Sequence, residues 1–349
     1  MSQVKWGVIG AGGIARRRTL PGAVGGAPSA KFVSLMDVRA EAAQQAAEQF
    51  GVPRAYTDEQ ELLNDPEVEA VYIATPVDLH ARHITMAAEA RKHVLCEKPI
   101  TLTIREAEQA IEACEKAGVL LGAAYMMRFH GLNVAARDLI ARDDLGRVVA
   151  GRAQLTCWYP PIPGAWRQDP STGLGGALAD MGSHCIDLLE FISGSKVASV
   201  YAMNQSLVQQ YASEDTSTVL LRMDSGAQMI VDSLFNVPDA ASRGLLEVYG
   251  TKGALYGEGT IGQTPTGKIV AMLSDQGKYD AQQKRKLTNR TFELKADPIN
   301  TYAAEIEDFS RAVLSNGSPA VSGEDGLWNL KVLDACYRSG RERREVRAT

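Results

Sequence analysis

Val8-Ile9-Gly10-Ala11-Gly12-Gly13-Ile14-Ala15 is the stretch from which the fold is read. An apolar run, Trp6–Gly10, leads into a G-x-G-x-x-A loop and then into helical text. In such a loop the first glycine, Gly10, permits a tight turn, Gly12 lets a bound group approach the backbone, and Ala15 lets the next helix pack close to the strand. The N–H groups at the helix start, with those of Gly13 and Ile14, then point at an anion. The pattern predicts a cradle for the pyrophosphate of a dinucleotide. Alone it is weak; its place between strand and helix strengthens it.

Outward from this loop, short apolar runs alternate with helical segments. Strands are expected at Lys31–Met36, Ala70–Ala74, His93–Cys96 and Val119–Ala124, with a shorter run near Val52–Tyr56. Helices are expected at Glu41–Phe50, Leu79–Ala90 and Ile104–Ala117. Continuous Val/Ile/Leu strands joined by helical crossovers imply a doubly wound parallel sheet covered on both faces. We therefore expect an α/β protein whose first domain spans 1–124 and whose second spans 125–349.

In the second part, helices are read at Gly131–Arg142 and Ala179–Phe191, around a Pro/Gly-rich loop, Tyr159–Gly176. Strand text runs over Val148–Trp158, Ala198–Gln205, Thr216–Met223, Ala227–Phe235 and Leu245–Tyr249, with hairpin turns at Asp224-Ser225-Gly226 and Gly250-Thr251-Lys252-Gly253. This predicts a mainly antiparallel sheet, helices on one face and the other free for a partner. Late helices are expected at Tyr302–Leu314 and Glu324–Ser339. Gln263–Arg290 reads as a polar surface excursion with poor local order.

Composition narrows the function. A chain of 349 residues with 45% hydrophobic content can fill two cores. A net charge of −5 argues against nucleic acid or an anionic membrane as partner. The five cysteines form no CxxC pair and no zinc spacing, and are read as reduced, buried thiols. No apolar run is long enough to span a bilayer, and strand text begins at once, leaving no room for a signal peptide. A cytoplasmic location is expected.

Several side chains carry the chemistry. Asp37 closes its strand where a carboxylate would accept hydrogen bonds from an adenosine ribose and repel a 2′-phosphate, favouring NAD over NADP. Capping the next helix is an equally compatible role. Arg39 nearby softens that preference. Arg16-Arg17-Arg18 reads as a solvated face in preference to a phosphate-steering one. Glu97-Lys98-Pro99 ends another strand, at the sheet edge where ligands bind in such folds. Thr75-Pro76 and His80 follow the Ala70–Ala74 strand and are candidates to line the same cleft; His83, His93 and His130 are read as structural. Asp180 and His184, four apart, share one helix face, so the carboxylate can orient the imidazole as a general base. The alternative is a plain i, i+4 pair. Tyr159 is read either as a substrate contact or as packing.

With these residues in place, the chain resembles the glucose–fructose oxidoreductase/inositol dehydrogenase (Gfo/Idh/MocA) family over nearly its whole length. The resemblance rests on Gly10 to Ala15, Ala74-Thr75-Pro76 to His80, Glu97-Lys98-Pro99, Trp166-Arg167, Gly176 to Asp187 and the Tyr302–Ile306 helix. It implies a Rossmann domain followed by an α/β domain with a large open sheet, through which such proteins form dimers or tetramers. It also implies a catalytic set of Lys98, Asp180 and His184, with Glu97, Trp166 and Arg167 near the nicotinamide. The expected activity is hydride transfer between NAD(P) and a hydroxyl-bearing carbon of a sugar or polyol. In the expected mechanism His184 takes the hydroxyl proton, Asp180 holds the ring, and Lys98 stabilises the alkoxide. A glycosidase that recycles the hydride and a non-catalytic NAD sensor are the rival readings. Trp166-Arg167 and Glu324 to Trp328 are similar to the anhydrofructose reductases of the family. Asp37 departs from them, since those NADP enzymes lack an acid there.

Overall fold

The computed structural model describes residues 2–274, 281 and 290–349. The chain forms two compact units, one of 1–126, 169–174 and 300–331, the other of 127–168, 175–299 and 332–349. The first unit thus takes in 300–331, which the sequence reading assigned to the second domain.

The first unit holds six strands: β1 Val4–Ile9, β2 Ala30–Met36, β3 Arg54–Tyr56, β4 Ala70–Ile73, β5 His93–Glu97 and β6 Leu121–Ala124. They are all parallel in the order β3-β2-β1-β4-β5-β6, so the direction of winding reverses between β1 and β4. β4 is buried at every position, as a strand covered on both faces must be. The crossover helices Ala40–Phe50 and Ile104–Ala117 end at Gly51 and Gly118 in the left-handed conformation that a helix stop favours. Thr103 and Glu106 form a reciprocal capping box that starts the second of these helices.

Thr301–Ser315 belongs to this unit because its apolar stripe meets the first sheet. Ile306 and Phe309 pack with Trp6, Phe32 and Leu35, and the Trp6 indole N–H donates to Ser310 Oγ at 3.0 Å. Helical periodicity announces such a stripe but not its partner, which explains the misassignment.

The second unit holds β7 Val148–Thr156, β8 Val197–Gln205, β9 Thr216–Met223, β10 Gln228–Leu234, β11 Leu245–Gly250, β12 Gly253–Glu258, β13 Lys268–Leu273, β14 Arg290–Glu293 and β15 Val346–Arg347. They form a single sheet, β14-β13-β12-β11-β7-β10-β9-β8-β15, antiparallel except where β10 meets β7. Both expected hairpins are present: β9 turns into β10, and β11 into β12 with Gly250 opposite Gly253. The expected excursion Gln263–Arg290 is corrected in part, since Lys268–Leu273 and Arg290 are strand; alternate burial along β13 supplies the pattern its polar flanks disguise. Residues 275–280 and 282–289 of that stretch lie outside the described residues.

Helix Ser183–Ser193 lies against β7 and β10, and helix Gly131–Ala141 lies against it in turn. Immediately before Ser183 the chain makes a π turn, Leu178–Gly182, where regular helix was expected. A second π turn, Ala15–Thr19, follows the glycine loop. One extra residue in a turn leaves the apolar spacing nearly intact, so periodicity does not reveal it. Such turns recur at functional sites.

Candidate active site

In the first unit, strand register assembles the candidate residues. Ile9 pairs with Met36 on one side and Ile73 on the other, and Ile73 pairs with Cys96. The residues that follow, Gly10, Asp37, Ala74 and Glu97, therefore form a row along the carboxyl edge of the sheet, beside the strand-order reversal where such folds bind ligands.

Gly10 is held by its N–H on Met36 O at 2.9 Å, with φ +94°. A Cβ there would stand 2.8 Å from the Ala74 carbonyl oxygen, so both the dihedral and the space demand glycine. At Gly12 a Cβ would meet Asp37 Oδ2 at 2.8 Å and the Arg39 guanidinium at 2.6 Å. Both neighbours are side-chain ends, so a larger residue here would displace the Asp37 carboxylate and the Arg39 guanidinium, whereas glycine leaves them in place. Gly13 has open space where its Cβ would be, and Ile14 precedes the π turn. The open backbone of this loop, beside the Asp37 carboxylate, fits a pyrophosphate.

Asp37 is 8% exposed, and its Oδ1 accepts the Arg39 backbone N–H at 3.1 Å. Arg39, not Asp37, occupies the N-cap position of the next helix. The Arg39 side chain lies 3.4 Å from Asp37 and is largely exposed. Arg16 donates to Gln45 and Gln49, while Arg17 and Arg18 face solvent, in keeping with a solvated face.

Glu97 accepts from the buried Tyr72 hydroxyl at 2.5 Å, and Thr19 donates to that hydroxyl at 3.0 Å. Its other oxygen accepts the Lys98 N–H at 3.2 Å. Burial, then the Glu97 charge, hold the Tyr72 hydroxyl well above its ordinary pKa, so it remains a donor. Lys98 precedes a cis peptide to Pro99 and is 8% exposed. Tyr72 was missed in the sequence; the signal was a polar-tipped ring in an otherwise aliphatic strand.

His80, expected to line the cleft, is buried with Nδ1 2.9 Å from Pro99 O and Nε2 2.9 Å from Thr75 O. It thus ties the Thr75-Pro76 loop to the Lys98-Pro99 turn. Burial lowers its pKa although both carbonyls favour the charged ring. The Thr75 hydroxyl lies 3.2 Å from His83 Nδ1. His93 accepts the Leu120 N–H, and His130 caps its helix through the Leu132 N–H.

In the second unit, Arg167 is the hub. Its Nε donates to Asp180 Oδ1 at 3.0 Å, and its guanidinium lies 4.1 Å from the Trp166 ring centroid. It also hydrogen-bonds the Tyr159 hydroxyl. The Tyr159 ring packs 4.8 Å from Phe235, beside Ala177 and Met181, so packing and a polar contact coexist in one side chain. Asp180 sits in the π turn and His184, 8% exposed, begins the helix beyond it. One turn further, Asp187 is gripped by Arg128 through contacts of 2.6 to 3.0 Å. All five cysteines are free thiols. Among the described residues, no group of His, Cys, Asp and Glu has a metal-holding arrangement, and no helix is long and apolar enough to cross a membrane.

Comparison with known proteins bears on this geometry. The family described as an oxidoreductase family with an NAD-binding Rossmann fold matches residues 4–125, and the GFO/IDH/MocA C-terminal domain matches residues 133–256. A 1,5-anhydro-D-fructose reductase of Ensifer adhaerens is 32% identical, covering 93% of this chain and 93% of its own. A D-xylose 1-dehydrogenase (NADP(+)) of Haloferax volcanii is 30% identical over 96% of both chains. The crystal structure of an aldose-aldose oxidoreductase from Caulobacter crescentus aligns with a TM-score of 0.87 and 26% identity over 99% of both. The glycine cradle, the Glu97-Lys98-Pro99 turn and the Asp180–His184 segment thus stand in a chain that belongs to the GFO/IDH/MocA family of NAD-binding oxidoreductases.

Proposed function

We propose that this NAD-dependent oxidoreductase interconverts a secondary alcohol and a ketone on a sugar or polyol, with Lys98, Asp180 and His184 carrying the proton and charge chemistry. The observation that carries this reading is the linked group in the second unit: Tyr159, Trp166 and Asp180 all engage Arg167, and His184 follows on the same segment. Aromatic rings, a guanidinium and a carboxylate suit a polyhydroxylated ligand.

Gly10, Gly12, Gly13 and Ile14 would hold the pyrophosphate, Asp37 the ribose, and Thr75, Pro76, Glu97, Trp166 and Arg167 the nicotinamide half. Bound NAD supplies the hydride carrier. The protein's task is the proton. His184 removes it from the substrate hydroxyl in the oxidative direction, Asp180 favours the resulting imidazolium, and the Lys98 ammonium stabilises negative charge on the substrate oxygen. Reduction reverses these roles. Asp37 favours NAD over NADP because a 2′-phosphate would meet its charge.

The second sheet presents Tyr201, Met203, Leu220, Ile230, Tyr256 and Met272 exposed, which supports a homodimer or homotetramer through that face. Free thiols fit the reducing cytoplasm.

The test is absorbance of reduced nicotinamide with NAD or NADP against aldoses, polyols, inositols and glycosides. The wild-type protein should turn over one class with NAD, and His184→Ala should lower kcat at least ~100-fold with NAD affinity retained. Undiminished turnover in that variant would remove His184 from the chemistry.

A further inference from the structure

We infer that Glu214 is a positioning residue for the segment bearing Asp180 and His184, acting as a cap delivered from a distant strand entry. The inference rests on the roles just proposed for those two residues. One carboxylate oxygen of Glu214, Oε1, accepts three donors: Gly176 N–H at 3.0 Å, Leu178 N–H at 3.0 Å and the Tyr337 hydroxyl at 2.9 Å. The Glu214 carbonyl accepts the intervening Ala177 N–H at 3.0 Å. Glu214 therefore takes up three consecutive N–H groups at the start of a turn, which otherwise have no intrahelical acceptor.

The segment's own geometry begins from this anchor. Asp180 N–H closes onto Gly176 O at 2.9 Å, and the π turn Leu178–Gly182 continues directly into the helix of His184. The approach is close enough to dictate sequence. A Cβ at Gly176 would lie 1.9 Å from the Glu214 carbonyl oxygen, and one at Gly175 would lie 1.8 Å from the Tyr337 hydroxyl. The paired glycines are thus the imprint of this clamp. Tyr337 remains a donor, since burial and then the Glu214 charge hold its hydroxyl well above its ordinary pKa. Burial pushes the Glu214 carboxyl up, while the Gly176 and Leu178 N–H groups and Tyr337 pull it back.

The neighbouring Asp215 closes the preceding loop by accepting N–H groups of Leu207, Val208 and Gln209. Glu214 is thereby carried on a braced strand entry. If the clamp is released, the turn is free to rotate, which detaches Asp180 from Arg167 and changes the setting of the His184 ring. That is an effect on turnover, distinct from an effect on NAD affinity.

The test compares Glu214→Ala, Glu214→Gln and Tyr337→Phe in the full chain, using the panel sugar that the wild-type protein turns over fastest. Glu214→Ala should lower kcat ~10–100-fold with KM for NAD within about twofold, Tyr337→Phe should lose less, and Glu214→Gln should recover part of the rate because its carbonyl still accepts these donors. A readout independent of activity is the His184 ring proton in NMR spectra, tractable with five histidines and assigned by its absence in His184→Ala. It should shift in Glu214→Ala and Tyr337→Phe while the other four hold. If Glu214→Ala does not fold, Tyr337→Phe and Glu214→Gln give the same contrast. Variants that melt earlier yet keep wild-type kcat and an unmoved His184 signal would overturn the inference. Loss of activity in His184→Ala beside unaffected Glu214 variants sinks the clamp alone, whereas an active His184→Ala sinks the catalytic reading beneath it.

Discussion

Asp37 and Arg39 both lie beside Gly12, and in the proposed reading they discriminate between the adenosine of NAD and that of NADP. The carboxylate is nearly buried and already bonded to the Arg39 backbone, while the Arg39 side chain, 73% exposed, reaches it with Nε at 3.4 Å. A charged hydrogen bond to a ribose is worth ~1.5–3 kcal/mol. Asp37→Ser should therefore weaken NAD about 10–100-fold, and with the repulsion gone and Arg39 retained it should improve NADP. Titrating both dinucleotides by protein fluorescence checks this; an unchanged ratio of affinities removes Asp37 from the ribose site. His83 carries a different prediction. Burial, partly opposed by the Glu59 charge, depresses its pKa from 6.5 to about 4. Its neutral form accepts from or donates to the Thr75 hydroxyl. Above pH 6.5 the ring is neutral folded and unfolded, and contributes no pH dependence. Below it the unfolded chain gains a proton that the native state refuses until about pH 4, so stability falls as pH falls through that window. From pH 7.5 to 5 the wild-type protein should lose about 2 kcal/mol more than His83→Asn in urea melts. Parallel slopes for the two proteins would rule this out.

At the scale of elements, Thr301–Ser315 shows what a pattern of residues does and does not say. Its apolar stripe was legible, but the partner was not, because nothing in the spacing of Tyr302, Ile306 and Phe309 names Trp6. The bond from the Trp6 indole to Ser310 spans 304 residues and fastens this helix to the first sheet. Ser310 itself donates to Ile306 O at 2.6 Å, leaving its lone pairs for the indole. Ser310→Ala strands a buried N–H and should cost about 1–3 kcal/mol, read as a lower denaturation midpoint with an unchanged m-value. A midpoint that does not move would mean the indole finds another acceptor. The parallel strands and the glycine loop were readable for the opposite reason. Each is a local pattern whose cause lies within a few residues: burial on both faces for one, the approach of Ala74 and Asp37 for the other. The Glu214–Tyr337 clamp was not readable, since its partners lie 123 residues apart and a Glu-Asp pair before a strand looks like ordinary loop text. The glycines it demands, Gly175 and Gly176, read in the sequence only as the end of a Pro/Gly-rich loop, and nothing in that text names the group that approaches them.

The second sheet frames the largest question of scale, what covers its open face. Strand register aligns Tyr201, Leu220 and Ile230 across β8, β9 and β10, then Arg152, Glu247 and Tyr256 across β7, β11 and β12. Leu220 is 52% exposed, and Met203 and Met272 are more than two-fifths exposed. The buried residues alternating with these, Val219 and Leu221 among them, form the core side, so a one-residue slip is excluded and the exposed set is fixed by register. Scattered apolar residues on a surface mean little, but a row aligned across three neighbouring strands is a patch. A second copy of the same face suits it, because in a two-fold pair the apolar row meets its own kind. Light scattering should then give a multiple of 37.6 kDa for the wild-type chain. The double variant Leu220→Asp, Ile230→Asp should run at the mass of one chain with an unaltered far-UV spectrum, since both side chains already lie partly in solvent. Should the wild-type protein prove monomeric at micromolar concentration, this face has another occupant or none, and its apolar row must be explained without self-association.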